Sequence, residues 1–194
     1  LNYIKSLMKI NFLPKQYNTT RKLKINHNYL FEQFSDYSKI FKEIEKVVKK
    51  GDYTLGQAVD DCEKSFAKRT GAKFAISVGN GTDALLLSLK ALGIGPGDEV
   101  ITVPYTFVAT VGSIVTAGAK PVFVDVKEDY NMDETKIEKA ITKKTKAIIA
   151  VHLYGNSADI LKLKKLCSSK KIYLIEDVSQ AHGAMFGKKK LGSI

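Results

Sequence analysis

Five places in this 194-residue chain hold the residue types from which a chemical site can be built. They are Gly79-Asn80-Gly81-Thr82-Asp83, Pro104-Tyr105-Thr106-Phe107, Asp125, His152-Leu153-Tyr154-Gly155 and Glu176-Asp177-Val178-Ser179-Gln180. The first joins two glycines to a threonine and an aspartate. Glycines let a backbone approach a ligand closely, and the exposed N–H groups of a helix start, with a hydroxyl beside them, make a cradle for a phosphate. The same residues also suit a tight strand-to-helix turn capped by Thr82 or Asp83. Gly79-x-Gly81-x-x-Ala84 further satisfies the spacing of a dinucleotide fingerprint, which needs an acid at the end of the next strand to hold a ribose. Asp98 and Glu99 precede that strand, and it ends Val103-Pro104-Tyr105, so the dinucleotide reading is the weaker one.

The last place puts two carboxylates at the end of the apolar run Tyr173-Leu174-Ile175. Strand alternation sends Glu176 and Asp177 to opposite faces, and a buried carboxylate needs a cation, a metal or several hydrogen bonds. One ligand answers that need and also uses a phosphate cradle: pyridoxal phosphate, whose ring nitrogen stays protonated opposite a carboxylate and whose positive ring is an electron sink. Phe107 suits the open face of such a ring. Each residue taken alone has a plainer role, Asp177 as a helix cap and Phe107 as a core side chain.

These places share one feature, that each follows a candidate strand. Phe74–Val78, Val100–Val103, Pro121–Val124, Ala147–Val151 and Ile172–Ile175 are short and rich in valine and isoleucine, as strands buried on both faces are. Helical patterns lie between them at Thr82–Leu92, Phe107–Ala117, Asp133–Ala140 and Ala158–Ser168. Regular alternation predicts an α/β fold, a mostly parallel sheet with right-handed crossovers and helices on both faces. In such a sheet ligands bind beyond the carboxyl ends of the strands, which gathers the five places along one edge. Ahead of the alternation, a helical pattern runs from Tyr29 to Val48 and stops at Gly51, and a second covers Gln57–Lys68 and ends at Gly71.

Hydrophobic residues make up 44% and charged residues 26% of the chain, the range of an ordinary globular protein. The apolar runs are far shorter than the roughly 20 residues that cross a bilayer, which excludes a membrane-spanning helix. Cys62 and Cys167 fit no metal or redox spacing and read as free thiols in a reducing cytoplasm. The net charge of +11 invites a nucleic-acid partner, but six of those charges lie in residues 1–26, which hold no acid and read as a basic N-terminal arm. Only Arg21 and Arg69 are arginines, and the lysines are scattered over helix surfaces rather than clustered as a nucleic-acid face requires.

Seven blocks in order carry a specific resemblance. They are Gly51-Asp52-Tyr53-Thr54-Leu55-Gly56, Asn80-Gly81-Thr82-Asp83-Ala84-Leu85, Gly93-Ile94-Gly95-Pro96-Gly97-Asp98-Glu99-Val100, Pro104-Tyr105-Thr106-Phe107-Val108-Ala109-Thr110, Pro121-Val122-Phe123-Val124-Asp125-Val126, Val151-His152-Leu153-Tyr154-Gly155 and Ile175-Glu176-Asp177-Val178-Ser179-Gln180-Ala181-His182-Gly183-Ala184. With them the chain, from about Phe31 onward, resembles the sugar aminotransferases of the DegT/DnrJ/EryC1/StrS family.

The resemblance implies a three-layer large domain of the aspartate-aminotransferase fold type. It implies pyridoxal phosphate held by Gly81, Thr82 and Asp83 at its phosphate, Phe107 stacked on its ring, Asp177 at its ring nitrogen and Gln180 at its ring hydroxyl. The loop around Tyr53 would border the substrate pocket, and His152 and His182 read as hydrogen-bonded structural residues. The substrates implied are a nucleotide-linked keto sugar and glutamate or glutamine as amino donor, and the enzyme implied is a homodimer. The family's Schiff-base lysine lies in a serine-containing segment after Gln180-Ala181-His182-Gly183, which puts it beyond Ile194 and leaves no catalytic residue in the chain. Residues 27–194 then correspond to the N-terminal part of the large domain, without the strands that follow the lysine and without the small C-terminal domain. Lys188, Lys189 and Lys190 belong to a surface hairpin and are poor substitutes for the missing lysine. A chain of this extent is expected to be inactive alone; the rival readings are a non-catalytic split subunit or pseudoenzyme and, behind it, a dinucleotide-binding oxidoreductase.

Overall fold

A computed structural model describes residues 29–194, so the basic arm at 1–26 lies outside the described residues. The chain divides into two units, Leu1–Tyr53 and Thr54–Ile194. In the first, α1 (Leu30–Gln33) and α2 (Tyr37–Lys50) replace the single helix expected from Tyr29. The break falls at Ser35-Asp36, where the Ser35 hydroxyl donates to the Glu32 carbonyl and so offers the backbone an alternative to the next helical turn. Gly51 ends α2 as its pattern requires, in the left-handed region at φ 68° with its N–H on the Val47 and Val48 carbonyls.

The second unit opens with α3 (Gln57–Thr70), then alternates. α4 (Gly81–Ala91) leads to β1 (Glu99–Thr102), α5 (Val108–Ala117) to β2 (Lys120–Phe123), α6 (Glu134–Ala140) to β3 (Thr145–Val151), and α7 (Ile160–Lys170) to β4 (Tyr173–Asp177). All pairings in the four-stranded sheet are parallel, in the order β2-β1-β3-β4. The crossover from β1 to β2 runs one way along the sheet, while those to β3 and β4 run the other. Right-handed crossovers therefore place α5 on one face and α6 and α7 on the opposite one. The packing agrees, since α4 lies on α5 while α6 lies on α7. The result is a three-layer α/β arrangement with its switch point between β1 and β3.

The sheet's interior strands make the core. Val100, Ile101, Ala147, Ile148, Ile149 and Ala150 are fully buried, whereas the outer strands β2 and β4 keep partly exposed side chains. The strand expected over Phe74–Val78 is not formed. These residues have no strand partner among those described, and Phe74 and Ile76 are 73% and 82% exposed. A strand exists through its ladder hydrogen bonds; here Ser77 N–H instead donates to Glu63 Oε1 at 2.6 Å. At the chain's other end β5 (Met185–Phe186) and β6 (Lys189–Lys190) form an antiparallel hairpin around Gly187, at φ 61°.

Candidate cofactor site

A cavity of about 320 Å³ opens at the switch point, beyond the carboxyl ends of β1, β3 and β4, where an open parallel sheet holds its ligands. The start of α4 forms one wall. Asn80 is extended and caps the helix, its Oδ1 accepting from Asp83 N–H at 2.9 Å while its Nδ2 donates to the Asp83 carboxylate at 3.0 Å. A cap of this kind is worth about 1 kcal/mol. A Cβ at Gly79 would lie 2.7 Å from the Asp83 carboxylate, so a larger residue there would displace the side chain that Asn80 holds. The cap is therefore Asn80, not Thr82 or Asp83. Asp83 spends its N–H and its carboxylate on Asn80 and does not line the cavity, whereas Asn80, Gly81 and Thr82 do. The first-turn N–H groups of Gly81 and Thr82, which have no partner within the helix, carry the positive end of its dipole.

Opposite stands Asp177, at the end of β4 and 9% exposed. Its Oδ1 accepts from Ser179 N–H at 3.1 Å and from the Ser179 hydroxyl at 2.6 Å, and its Oδ2 from the Thr110 hydroxyl at 3.5 Å. Thr110 is in turn 3.0 Å from the Thr106 hydroxyl. No basic side chain is paired with Asp177 among the described residues, so a buried carboxylate faces the cavity without a cation. A buried carboxylate is costly unless its partners are complete, and a cationic ligand group would complete them.

Phe107 sits at the rim as the residue before α5, 66% exposed, so it is not the core side chain that its type alone would suggest. Gln180 lines the cavity with its Oε1 held by Tyr154 N–H at 2.9 Å, which leaves its amide nitrogen as the free donor. Gly81, Thr82, Phe107, Asp177 and Gln180 are thus brought together, and Asp83 stands behind them.

Glu176 takes the other face, as alternation requires. Its carboxylate receives His152 Nε2 at 3.2 Å and the N–H groups of Gly192 and Ile194 at 3.0 and 3.1 Å. Burial pushes the Glu176 carboxyl up, but these hydrogen bonds and the pull of His152 outweigh it and hold the carboxyl below the usual glutamate range. His152 is fully buried, and its Nδ1 accepts from Ala158 N–H at 3.1 Å, which leaves Nε2 as the donor to Glu176. That is a structural histidine. His182 packs its ring against the edge of Phe66, and neither histidine lines the cavity. Tyr53 lies in the first unit, its hydroxyl donating to the Val48 carbonyl.

Thr110 and Ser179 escaped the sequence reading. One signal was present, since Asp177-x-Ser179 is the spacing at which an aspartate takes a serine N–H two residues on. No acid follows β1, where the chain reads Val103-Pro104-Tyr105, and Asp98 accepts from Gly95 N–H before the strand. The dinucleotide reading therefore lacks its ribose ligand. No group of side chains suited to a metal occurs among the described residues, and no helix there is long and apolar enough to cross a membrane. Cys62 and Cys167 are free, and burial pushes the Cys167 thiol up to about 11.

Residues 35–194 match the DegT/DnrJ/EryC1/StrS aminotransferase family, and the chain belongs to that family. It is 44% identical over 156 residues to the dTDP-3-amino-3,6-dideoxy-alpha-D-galactopyranose transaminase of Aneurinibacillus thermoaerophilus, covering 80% of this chain and 43% of that protein. It is 46% identical over 153 residues to the UDP-2-acetamido-2-deoxy-3-oxo-D-glucuronate aminotransferase of Pseudomonas aeruginosa, covering 78% and 43%. Among solved structures, DesV of S. venezuelae superposes with a TM-score of 0.81 at 37% identity, covering 85% of this chain and 44% of DesV. The chain spans less than half the length of these relatives. A sugar aminotransferase of Streptococcus pneumoniae, matched in its pyridoxal phosphate form at a TM-score of 0.74 and 29% identity, covers 77% of this chain and 42% of its own. Pyridoxal phosphate is the cofactor that this family membership indicates.

Proposed function

We propose that this chain supplies the cofactor-binding part of a nucleotide-sugar aminotransferase. The observation that carries the reading is the cavity itself, with an anion cradle at the start of α4 on one side and, on the other, a buried carboxylate that no cation among the described residues pairs. Gly81 and Thr82 N–H groups would hold the cofactor phosphate, with Asp83 locking the cap that aims them. Asp177, oriented by Ser179 and Thr110, would keep the ring nitrogen protonated. Gln180 would donate to the ring hydroxyl, and the Phe107 ring would cover one face and exclude water. When bound, the cofactor supplies the electron sink that lets an amino group leave one carbon and join another.

The complete enzyme would take that group from glutamate or glutamine and place it on a keto carbon of a nucleotide-linked sugar, as a homodimer in the cytoplasm. No lysine among the described residues lines the cavity, and Lys188, Lys189 and Lys190 lie on the β5–β6 hairpin beside Lys68 and Arg69. This chain alone would therefore hold the cofactor without a covalent bond and would not transfer amino groups.

Titrating the purified chain with pyridoxal phosphate, followed by cofactor fluorescence and absorbance, tests this. Saturable binding without a Schiff-base absorbance band is expected, and Asp177→Asn should weaken it roughly tenfold, the worth of one charge-assisted hydrogen bond. Schiff-base absorbance from the chain alone would overturn the claim of inactivity. Protection against unfolding by a nicotinamide dinucleotide, with no effect of pyridoxal phosphate, would overturn the whole reading.

A further inference from the structure

Five basic residues that the cofactor site does not use meet elsewhere in the second unit. Lys68 and Arg69 lie in the last turn of α3, while Lys188, Lys189 and Lys190 run from the turn of the β5–β6 hairpin into its second strand. The fold brings both groups around one cavity of about 430 Å³, completed by Thr70, Gly71 and Ser193. It shares no lining residue with the cofactor cavity. Lys190 joins the two arms, its Nζ donating to the Arg69 carbonyl.

Each arm taken alone has a plain role. Cations in the last turn of a helix are favoured by its dipole, and Lys190 satisfies a carbonyl that the end of α3 leaves without an intrahelical partner. Neither role explains why Lys188 and Lys189 line the same hollow as Lys68 and Arg69, where like charges repel. No acidic side chain among the described residues lines the cavity, and none of the five cations is in an ion pair there. Elsewhere the chain gathers lysines around carboxylates, with Lys127 and Lys162 on Glu134 and Lys136 between Asp125 and Asp133. Here the counter-charge has to come from outside the described residues.

The form of the cavity and the kind of cation narrow what supplies it. A hollow lined by one sign of charge focuses its field and concentrates counter-ions, and this one has the volume of a small-molecule site. A lone carboxylate or orthophosphate would leave most of the five charges unmatched. A chain of linked phosphates packs several negative charges into the same space. Four lysines offer compact ammonium charges to its oxygens, and the Arg69 fork can take two oxygens of one phosphate. A reader of nucleic-acid bases would need several such forks, and Arg69 is the one arginine in the lining.

We propose that this cavity binds a free oligophosphate, a small anion of two or more linked phosphates, inorganic or carried by a nucleotide. The test titrates the whole chain, without divalent cations, with orthophosphate, pyrophosphate, tripolyphosphate and ATP in a calorimeter. One site per chain is expected, with affinity rising at least roughly tenfold from orthophosphate to tripolyphosphate and falling as salt is added. Equal affinity for ATP and tripolyphosphate would show that the phosphate chain alone is recognised, and tighter binding of ATP that a nucleotide is the natural carrier. Pyridoxamine phosphate, which has a phosphate but no aldehyde to react with lysine, should not displace tripolyphosphate.

Lys188→Gln/Lys189→Gln and Lys68→Gln/Arg69→Gln each take two charges from one arm and should weaken tripolyphosphate binding at least roughly fivefold. Lys139→Gln/Lys143→Gln takes as many charges from exposed positions outside the cavity and should change it less than about twofold. The two arms lie on different elements, so either variant tests the site if the other fails to fold, which melting temperatures without ligand report. Equal weakening by all three variants, several equivalent weak sites, or no gain over orthophosphate would each overturn the proposal. So would displacement by pyridoxamine phosphate, or tighter binding of a short DNA duplex or of phosphatidylserine vesicles than of tripolyphosphate.

Discussion

Two five-residue stretches of this chain carry nearly the same apolar content and meet opposite fates. Ala147–Val151 in β3 is buried throughout, with β1 on one side and β4 on the other. Phe74–Val78 alternates Phe, Ile and Val with Ala and Ser, yet holds its rings and branches in solvent with no ladder beside it among the described residues. Intrinsic preference is not what separates them, since both are rich in residues that suit a pleated surface. The difference is the neighbour. A strand's stability is a property of a pair, so an apolar pattern marks a segment able to pair and says nothing of whether a partner is at hand.

The comparison breaks most visibly at its buried member. Ile148 is fully enclosed and faces the hydrophobic core, so Ile148→Ala should cost about 3 kcal/mol through lost transfer energy and the cavity left behind. Urea unfolding followed by far-UV circular dichroism checks this, and a loss below about 1 kcal/mol would mean that the sheet interior is less tightly packed than its burial indicates.

A smaller effect belongs to β4, the outer strand between these extremes, where Glu176 binds the Gly192 and Ile194 N–H groups. Glu176→Ala strands those donors and His152 Nε2, for an expected loss of about 1–2 kcal/mol at neutral pH. The sign of its pH dependence follows from the depressed carboxyl. Its stabilisation is present above the ordinary glutamate range and is lost as pH falls through the lower value it has when folded. The variant should therefore show a flatter stability profile below about pH 5 than the parent, read from melting temperatures across pH.

Much of the site was legible because it depends on topology and local chemistry. Alternating strands and helices announce a parallel sheet, such a sheet binds at the carboxyl ends of its strands, and Gly81, Thr82, Phe107, Asp177 and Gln180 do line one cavity there. What was not legible depends on which atoms claim which hydrogen bonds. Asp83 looks like a phosphate ligand in sequence, yet Asn80 takes both its N–H and its carboxylate. Thr110 and Ser179 look like ordinary helix and turn residues until the fold brings both to Asp177. The unpaired state of Phe74–Val78 was hidden for the same reason as in the comparison above, since a run of residues does not display its neighbour.

The smallest expected effect sits at the exposed member of the pair, and it sharpens the comparison most. Ile76 is 82% exposed, so Ile76→Thr removes little buried surface and keeps a β-branched side chain. Its effect on stability should stay within about 0.5 kcal/mol. Its effect on association should be larger than its effect on stability, because an apolar segment with unpaired backbone groups is a template for pairing with another copy. Sedimentation velocity over a concentration series should show the variant self-associating less than the parent. A loss of stability comparable to that of Ile148→Ala would show that this segment is buried in solution, and the contrast between the two stretches would disappear.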